Sequence, residues 1–185
     1  MDYRKLFEAV NPGFFERDYI KKIPEKLVYD EMIMELSSFD EKDHDINAPG
    51  GITFDYYKGD FDTFLEAVRS VDDSWADIYK PMDRIFCAFD GERIASFCMI
   101  EDMNPYSESG ISYKIGGPGC VGTVPEYRKR GIGLVMINKA TQILKDLGYD
   151  ISYVHYTGVA HWYAALGYKT VLSWRSTGVI HVEEG

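Results

Sequence analysis

The pattern of hydrophobic and polar positions predicts a mixed α/β chain. Apolar residues at near-helical spacing over 24–39 predict a helix, and Pro24 suits its first turn. The whole segment 1–45 is therefore expected to be helical. A strand is predicted over 52–57, and an aspartate at 60 or 62 is expected to cap the helix that follows it.

Two apolar segments, 84–89 and 94–100, flank the pair Asp90-Gly91 and are apolar on both faces. This pattern predicts an antiparallel hairpin that is buried on both sides of a sheet. A two-residue turn at Asp90-Gly91 would place Cys87 opposite Ile94, so the register argues against a disulfide between the two arms.

A strand, an amphipathic helix and a second apolar strand follow one another over 119–156. Such a βαβ unit is expected to be parallel and right-handed. Its first strand is expected to begin after Pro118, because a proline inside a central strand removes a ladder hydrogen bond. The remaining elements are short: a helix over 159–166 and strands near 168–174 and 179–182.

Length and composition restrict the class of protein. A chain of 185 residues with 45% apolar residues predicts one main domain over 51–185, preceded by a helical extension over 1–50. No apolar run reaches the ~18 residues of a membrane helix, and no secretion signal is evident, so a cytoplasmic protein without a membrane partner is expected. The three cysteines lack metal-binding spacing, so we expect buried thiols and no metal site.

The net charge of −10 is unevenly spread. Residues 1–50 carry −5 and residues 51–110 carry −8, whereas residues 111–185 carry +3. An acidic chain is a poor general binder of nucleic acid, so no nucleic-acid partner is expected. The acidic first part either favours a cationic partner or is a solvated surface.

The turn Arg128-Lys-Arg-Gly131-Ile-Gly133 joins the strand to the helix of the βαβ unit. The first amides of a helix have no internal partners and lie at the positive end of its dipole, so they suit a phosphate, and the glycines allow close approach. A plain loop with a basic rim is the alternative. The motif GxGxxG fails because Met136 stands at its third glycine, and the P-loop motif is absent.

Two blocks of the chain resemble the GCN5-related N-acetyltransferase (GNAT) family. Residues 123–133, TVPEYRKRGIG, contain the [RQ]xxGx[GA] core of its coenzyme A signature, and residues 160–168, AHWYAALGY, resemble its A…Y…LG[FY] helix. The blocks stand in the family's order with a strand between them. The resemblance covers 52–182 and implies the GNAT fold, an α/β fold with a mixed central sheet flanked by helices, here with an N-terminal helical extension.

The same resemblance implies acetyl-CoA as the cosubstrate. The backbone of 121–124 would bond the pantetheine arm like an added strand, and the amides of 129–134 would hold the pyrophosphate. The implied cofactor-binding residues are Val121, Gly122, Thr123, Val124, Arg128, Lys129, Arg130, Gly131, Ile132, Gly133 and Leu134.

Tyr163 matches the family tyrosine that protonates the leaving thiolate; otherwise it is an aromatic residue on a core-facing helix. A backbone amide near Val121 or Gly122 is the expected donor to the thioester carbonyl. No cysteine is required as an acyl carrier, and Cys120 is the candidate if one exists.

The general base is less well marked. Many family members carry a glutamate on the strand before the signature, but residues 111–125 contain no acidic residue. His155, on the second strand of the βαβ unit, is the first candidate, with a structural histidine as the alternative. Glu126, His161 and Asp150 are expected to have surface or structural roles.

These observations predict an N-acetyltransferase that moves an acetyl group from acetyl-CoA to a primary amine of a small molecule or peptide, by direct attack in a ternary complex. One alternative is a non-catalytic acyl-CoA-binding or sensor domain without an effective base, and another is a different nucleotide-binding fold. The N-terminal helices either cap the acceptor site or form a homodimer interface.

Overall fold

The computed structural model describes residues 1–184, which form two compact units. The first unit comprises Met1–Phe39, Asp102–Gly117 and residues 147–184, and the second comprises Asp40–Glu101 and Pro118–Asp146. Both units combine helices with sheet strands, which confirms the predicted mixed α/β class. Among the described residues, no helix is long and apolar enough to cross a membrane.

The first unit contains three helices and most of the strands. They are α1 (Tyr3–Val10), α2 (Asp18–Lys21), β1 (Tyr29–Glu35), β5 (Tyr106–Glu108), β6 (Ile111–Tyr113), the start of β7 (Ile115–Thr123), β8 (Ile151–Thr157), α5 (Ala160–Ala164), β9 (Lys169–Arg175) and β10 (Gly178–Val182). The strand order is β10-β9-β1-β8-β7, and β5 and β6 form a separate hairpin. Leu6 of α1 is fully buried in the apolar core together with Ile33 and Ile151.

Residues 29–35 form strand β1, so the helix predicted over 24–39 is wrong. β1 pairs antiparallel with β8 on one side and with β9 on the other. Adjacent Met32 and Ile33 are both buried, as expected for a strand that is covered on both faces and therefore does not alternate. Leu27 and Val28, which completed the helical pattern, are exposed. The helices α1 and α2 do confirm the expectation for the preceding residues, and the domain boundary at residue 50 stays a prediction.

The second unit contains two α-helices, the whole of two strands and nearly all of a third. They are β2 (Ile52–Tyr56), α3 (Phe61–Val71), β3 (Ile85–Asp90), β4 (Arg93–Asp102, of which Asp102 lies in the first unit) and α4 (Ile132–Asp146), joined by the second half of β7. The strand order is β7-β4-β3-β2. The predicted cap of α3 is confirmed, because the Asp60 carboxylate accepts a hydrogen bond from the Thr63 amide at 2.9 Å.

The β3–β4 hairpin is confirmed, but its register differs from the prediction. The two-residue turn lies at 91–92, one position later than predicted, and Gly91 takes a left-handed φ of +62° there. Together with a β-bulge in the same ladder, this shift places Cys87 opposite Phe97 instead of Ile94. All three cysteines are free thiols.

Strand β7 includes Pro118, so the prediction that the strand begins after the proline is wrong. Its ladder with β8 pairs Ile115 with Ile151 and Gly116 with Ser152, which confirms the predicted parallel pairing. Both pairs lie before Pro118 in the chain, so neither of them uses the N–H that a proline lacks.

Candidate functional site

The second half of β7 contains a left-handed residue. Cys120 has a φ of +44°, which is uncommon for any residue other than glycine. Its carbonyl accepts a hydrogen bond from the Tyr79 hydroxyl at 2.9 Å, and burial raises the pKa of Tyr79 so that this hydroxyl keeps its proton. The positive φ at this position interrupts the regular alternation of the strand directly before Val121 and Gly122.

Hydrogen bonds inside the second unit hold the end of this strand. They run from Ser96 Oγ to the Gly122 carbonyl (2.6 Å), from Arg128 Nε to the Thr123 carbonyl (3.0 Å) and from the Val124 amide to the Ala95 carbonyl (3.0 Å). The Val124 amide is therefore not available as a donor to a ligand. Gly122 has no room for a side chain, because a Cβ there would lie 2.4 Å from the Phe97 ring.

The turn before α4 presents a row of unpaired amides. Lys129 and Gly131 take left-handed φ values of +61° and +77°. Within residues 1–184, the amides of 129–133 donate to no other group, whereas the Leu134 amide donates to the Gly131 carbonyl at 3.1 Å. A Cβ added at Gly131 would meet nothing within 4 Å, so the space beside this residue is open. Successive free amides at a helix start form a cradle for an anion.

Basic side chains surround this cradle. The Arg130 guanidinium lies over the ring of buried Tyr127, 5.3 Å from its centroid, and the Tyr127 hydroxyl donates to Asp90 Oδ2 at 3.2 Å. The Arg128 side chain is anchored on β7, and Lys129 is exposed. Ile132 is buried and fixes the first turn of α4 against the sheet residues Ala88 and Ala95. The predicted phosphate-binding residues 128–133 are thus assembled at one helix end, with positive charge beside the free amides.

Tyr163 lies on α5 in the first unit and is buried. Its ring packs 5.9 Å from the ring of Tyr168, whose hydroxyl shares a hydrogen bond of 2.7 Å with Ser152 Oγ. Thr157 Oγ1 accepts a hydrogen bond from the Val159 amide at 3.1 Å and thereby shapes the turn before α5. The role of Tyr163 as an acid stays a prediction.

His155 lies near the end of β8, and its side chain is 25% exposed. Its Nδ1 lies 2.8 Å from Oε2 of Glu31 on β1, a side chain with no exposed surface. The other oxygen of Glu31 accepts hydrogen bonds from Trp174 Nε1 at 2.7 Å and from the Tyr156 amide at 3.2 Å. Among the described residues, Nε2 of His155 has no hydrogen-bond partner.

This pair can act as a proton acceptor. When the Nδ1–H group donates a hydrogen bond to the carboxylate, the neutral imidazole carries its basic lone pair on Nε2. Sequence analysis missed Glu31 because it placed residues 24–39 in a helix. The sequence does contain one signal, because Glu31 directly precedes the apolar run Met32-Ile33-Met34. If that run is a central strand, the carboxylate of Glu31 is buried with it.

The other acidic and histidine candidates take the roles expected for them. Glu126 and His161 are exposed. Asp150 is exposed as well, and its Oδ2 accepts a hydrogen bond from the Lys114 amide at 2.7 Å, so it links the starts of neighbouring strands.

Comparison with protein families decides the class of the chain. Residues 56–171, more than half of the sequence, match the family model described as an acetyltransferase (GNAT) domain. The chain belongs to the GNAT family. Members of this acyltransferase family generally use acetyl-CoA, and the free amides, open space and basic side chains of residues 128–133 suit its pyrophosphate. The hypothesis of a different nucleotide-binding fold therefore no longer applies.

Solved structures show the same fold. The GCN5-related glucosamine N-acetyltransferase region of a fungal multi-domain GH3 β-N-acetylglucosaminidase matches with a TM-score of 0.64 and 22% identity, covering 81% of this GNAT chain and 20% of that chain. A GCN5-related N-acetyltransferase from Sphaerobacter thermophilus matches with a TM-score of 0.59 and 17% identity, covering 83% of this chain and 51% of that chain. A GCN5-related N-acetyltransferase from Kribbella flavida matches with a TM-score of 0.56 and 17% identity, covering 88% of this chain and 62% of that chain.

At these identities the likeness establishes the fold of the GNAT chain and not its substrate. The chain spans between 20% and 62% of the length of these three structures. No curated protein matches the chain.

Proposed function

We propose that this GNAT protein transfers an acetyl group from acetyl-CoA to a primary amine of a small molecule or peptide within a ternary complex. The observation that carries the proposal is the row of unpaired amides at 129–133, flanked by Arg128 and Arg130. These residues occupy the family's coenzyme A signature. The amides and charges are what a pyrophosphate requires.

The chemistry requires a base, because an alkyl ammonium has a pKa of ~10.4 and is not nucleophilic until it loses a proton. His155 Nε2 accepts that proton while Nδ1 stays bonded to Glu31. The amine nitrogen then bonds to the acetyl carbon and the carbon–sulfur bond breaks. The ammonium loses two protons in all. His155 passes the first to solvent. Tyr163 gives its own proton to the coenzyme A sulfur as the carbon–sulfur bond breaks, and it takes the second proton of the nitrogen in exchange.

The alternative of a non-catalytic sensor domain depended on the lack of a base. The Glu31–His155 pair supplies a basic nitrogen on a side chain that is 25% exposed, which favours an enzyme. The acidic residues of 1–110 favour a cationic acceptor.

An assay of coenzyme A release with a panel of amines tests the proposal. The panel contains a polyamine, an amino acid, a short peptide and glucosamine, the amine named for one fold neighbour. We expect turnover with at least one class and calorimetric binding of acetyl-CoA alone. Binding without turnover of any amine would establish the sensor function instead, and no binding at millimolar acetyl-CoA would exclude both.

Substitution of Tyr163 by phenylalanine tests the acid. Loss of the proton donor is expected to lower kcat about 10²-fold with little change in the KM for acetyl-CoA. Tyr168→Phe is the matched control, because its hydroxyl is bonded to Ser152 and has no assigned catalytic role. Equal kcat values for wild type and Tyr163→Phe would remove Tyr163 from the mechanism.

A further inference from the structure

We infer that Glu31 is a positioning residue, which holds His155 in the tautomer with the hydrogen on Nδ1 and the lone pair on Nε2. The inference rests on the proposed function, in which His155 is the general base. It assigns a role to a residue outside the GNAT sequence blocks and outside the residues 56–171 that match the family model.

The two oxygens of Glu31 have separate partners. Oε1 accepts from Trp174 Nε1 and from the Tyr156 amide, both of which are fixed parts of the sheet. Oε2 faces Nδ1 of His155 at 2.8 Å. A fully buried carboxylate is unfavourable unless its oxygens are satisfied, and here donors reach both of them. The carboxylate group therefore cannot rotate without losing bonds on Oε1.

Aromatic packing fixes the imidazole from another direction. The Phe14 ring meets His155 edge-on with 5.0 Å between centroids, and it meets Trp174 in the same way at 4.8 Å. Trp174 has no exposed surface. The ring of His155 is thus held by Glu31 and Phe14, while the side chain stays 25% exposed and its Nε2 is not the nitrogen bonded to Glu31.

A purely structural role would not require a charged acceptor toward His155. Trp174 and Tyr156 both bond to Oε1, so a neutral amide oxygen would satisfy them equally well. The second oxygen matters when Nε2 takes a proton, because the imidazolium then carries its charge 2.8 Å from the carboxylate. Glu31 therefore favours both the starting tautomer and the protonated product of the base step.

The variant Glu31→Gln separates these roles. Because two N–H groups point at Oε1, the glutamine must place its carbonyl oxygen there and its NH2 group toward His155. Nδ1 must then become an acceptor, so the hydrogen moves to Nε2 and the basic lone pair is lost. The side-chain shape is unchanged, and the bonds to Trp174 and Tyr156 are kept.

The experiment combines NMR of labelled His155 in the full chain with steady-state kinetics. Imidazole nitrogen shifts are expected to show Nδ1–H in the wild type and Nε2–H in Glu31→Gln. The kcat is expected to fall about 10²-fold or more in the variant, with the KM for acetyl-CoA unchanged. Glu183→Gln is the matched control, because it makes the same change at an exposed glutamate that lies 3.1 Å from Nε2 of His181 and has no assigned role, so the Nδ1–H tautomer of His155 and the activity should persist.

Several results would overturn the inference. If His155 of the wild type carries its hydrogen on Nε2, the inference is wrong. This measurement needs no variant, so it decides the question even if Glu31→Gln fails to fold. An unchanged tautomer of His155 in Glu31→Gln would also overturn the inference. A changed tautomer with an unchanged kcat would remove both Glu31 and His155 from the base step. If no amine is turned over by the wild type, the proposed function fails, while the tautomer measurement still decides whether Glu31 positions the imidazole.

Discussion

Two residues at the turn before α4 have left-handed backbone geometry, and the conformational free energy that this geometry costs differs between them. Gly131 adopts it freely, whereas Lys129, at φ +61°, carries strain of about 1 kcal/mol. Strained non-glycine residues persist where the surrounding structure holds them, and they concentrate at binding sites. Left-handed geometry at Lys129 and Gly131, with the amides of 129–133 unpaired, is the kind of turn that presents successive donors to an anion.

Substitution at Gly131 separates backbone strain from charge. Both Gly131→Ala and Gly131→Asp introduce a Cβ at φ +77°, where nothing lies within 4 Å, so both should lose about 1 kcal/mol of stability. The aspartate also places a negative charge at the phosphate cradle, so its affinity for acetyl-CoA should be at least 10-fold below that of the alanine variant. Isothermal titration measures both affinities, and equal values would contradict the assignment of this turn.

Cys120 should be a poor nucleophile. Burial, with a further contribution from Glu101, raises the pKa of its thiol to about 12. At pH 8 roughly one molecule in ten thousand would then carry the thiolate, so iodoacetamide should label Cys120 far more slowly than a cysteine in a short peptide. Peptide mass spectrometry follows the labelling. A rate equal to that of the peptide would restore Cys120 as a candidate acyl carrier.

At the scale of elements, β7 depends on glycine where it approaches other chain segments. A Cβ at Gly117 would lie 1.9 Å from the Tyr153 carbonyl oxygen, which belongs to the backbone of β8 and cannot move aside easily. Gly117→Ala should therefore lower the free energy of unfolding by about 3 kcal/mol. Gly50→Ala is the control, because no atom lies within 4 Å of that position, and it should change stability by less than about 0.5 kcal/mol. Urea unfolding followed by tryptophan fluorescence measures the difference, and similar midpoints would contradict the close packing.

The elements that the sequence predicted well depend on local chemistry. The helix start at Ile132, the cap at Asp60 and the parallel pairing of β7 with β8 all follow from residues that are near neighbours in the chain or from the βαβ pattern. The turn at 128–133 belongs to this group, because its glycines and unpaired amides mark it without knowledge of the rest of the fold.

The elements that could not be predicted depend on distant partners. The apolar run of β1 fits a helix or a central strand equally well, and the two strands that decide between them lie more than a hundred residues later. Glu31 meets His155 across 124 residues, so no local pattern announces the pair. Pro118 was misjudged for a related reason, since the need for an N–H at a strand position depends on the partner strand, and the pairs of β7 with β8 at Ile115 and Gly116 do not use the one that Pro118 lacks.

For the whole molecule, the net charge of −10 should make kcat/KM for a cationic amine depend on the salt concentration. If the acceptor is cationic, the acidic protein raises its rate of encounter, and salt weakens that attraction because the Debye length falls to about 8 Å at physiological ionic strength. At saturating acetyl-CoA, kcat/KM for a polyamine should fall several-fold between about 10 mM and 300 mM NaCl. An arylamine, uncharged at neutral pH, serves as the control, and equal salt dependence for the two amines would contradict a cationic preference.

The position of β1 between β8 and β9 has a consequence for biosynthesis. On the ribosome, this strand is made more than a hundred residues before both of its hydrogen-bonding neighbours. Until then the nascent chain carries Met32-Ile33-Met34 with two open edges, a segment to which other unfolded chains can add. Production of this protein should therefore depend on chaperones that shield β1 until β8 and β9 are released.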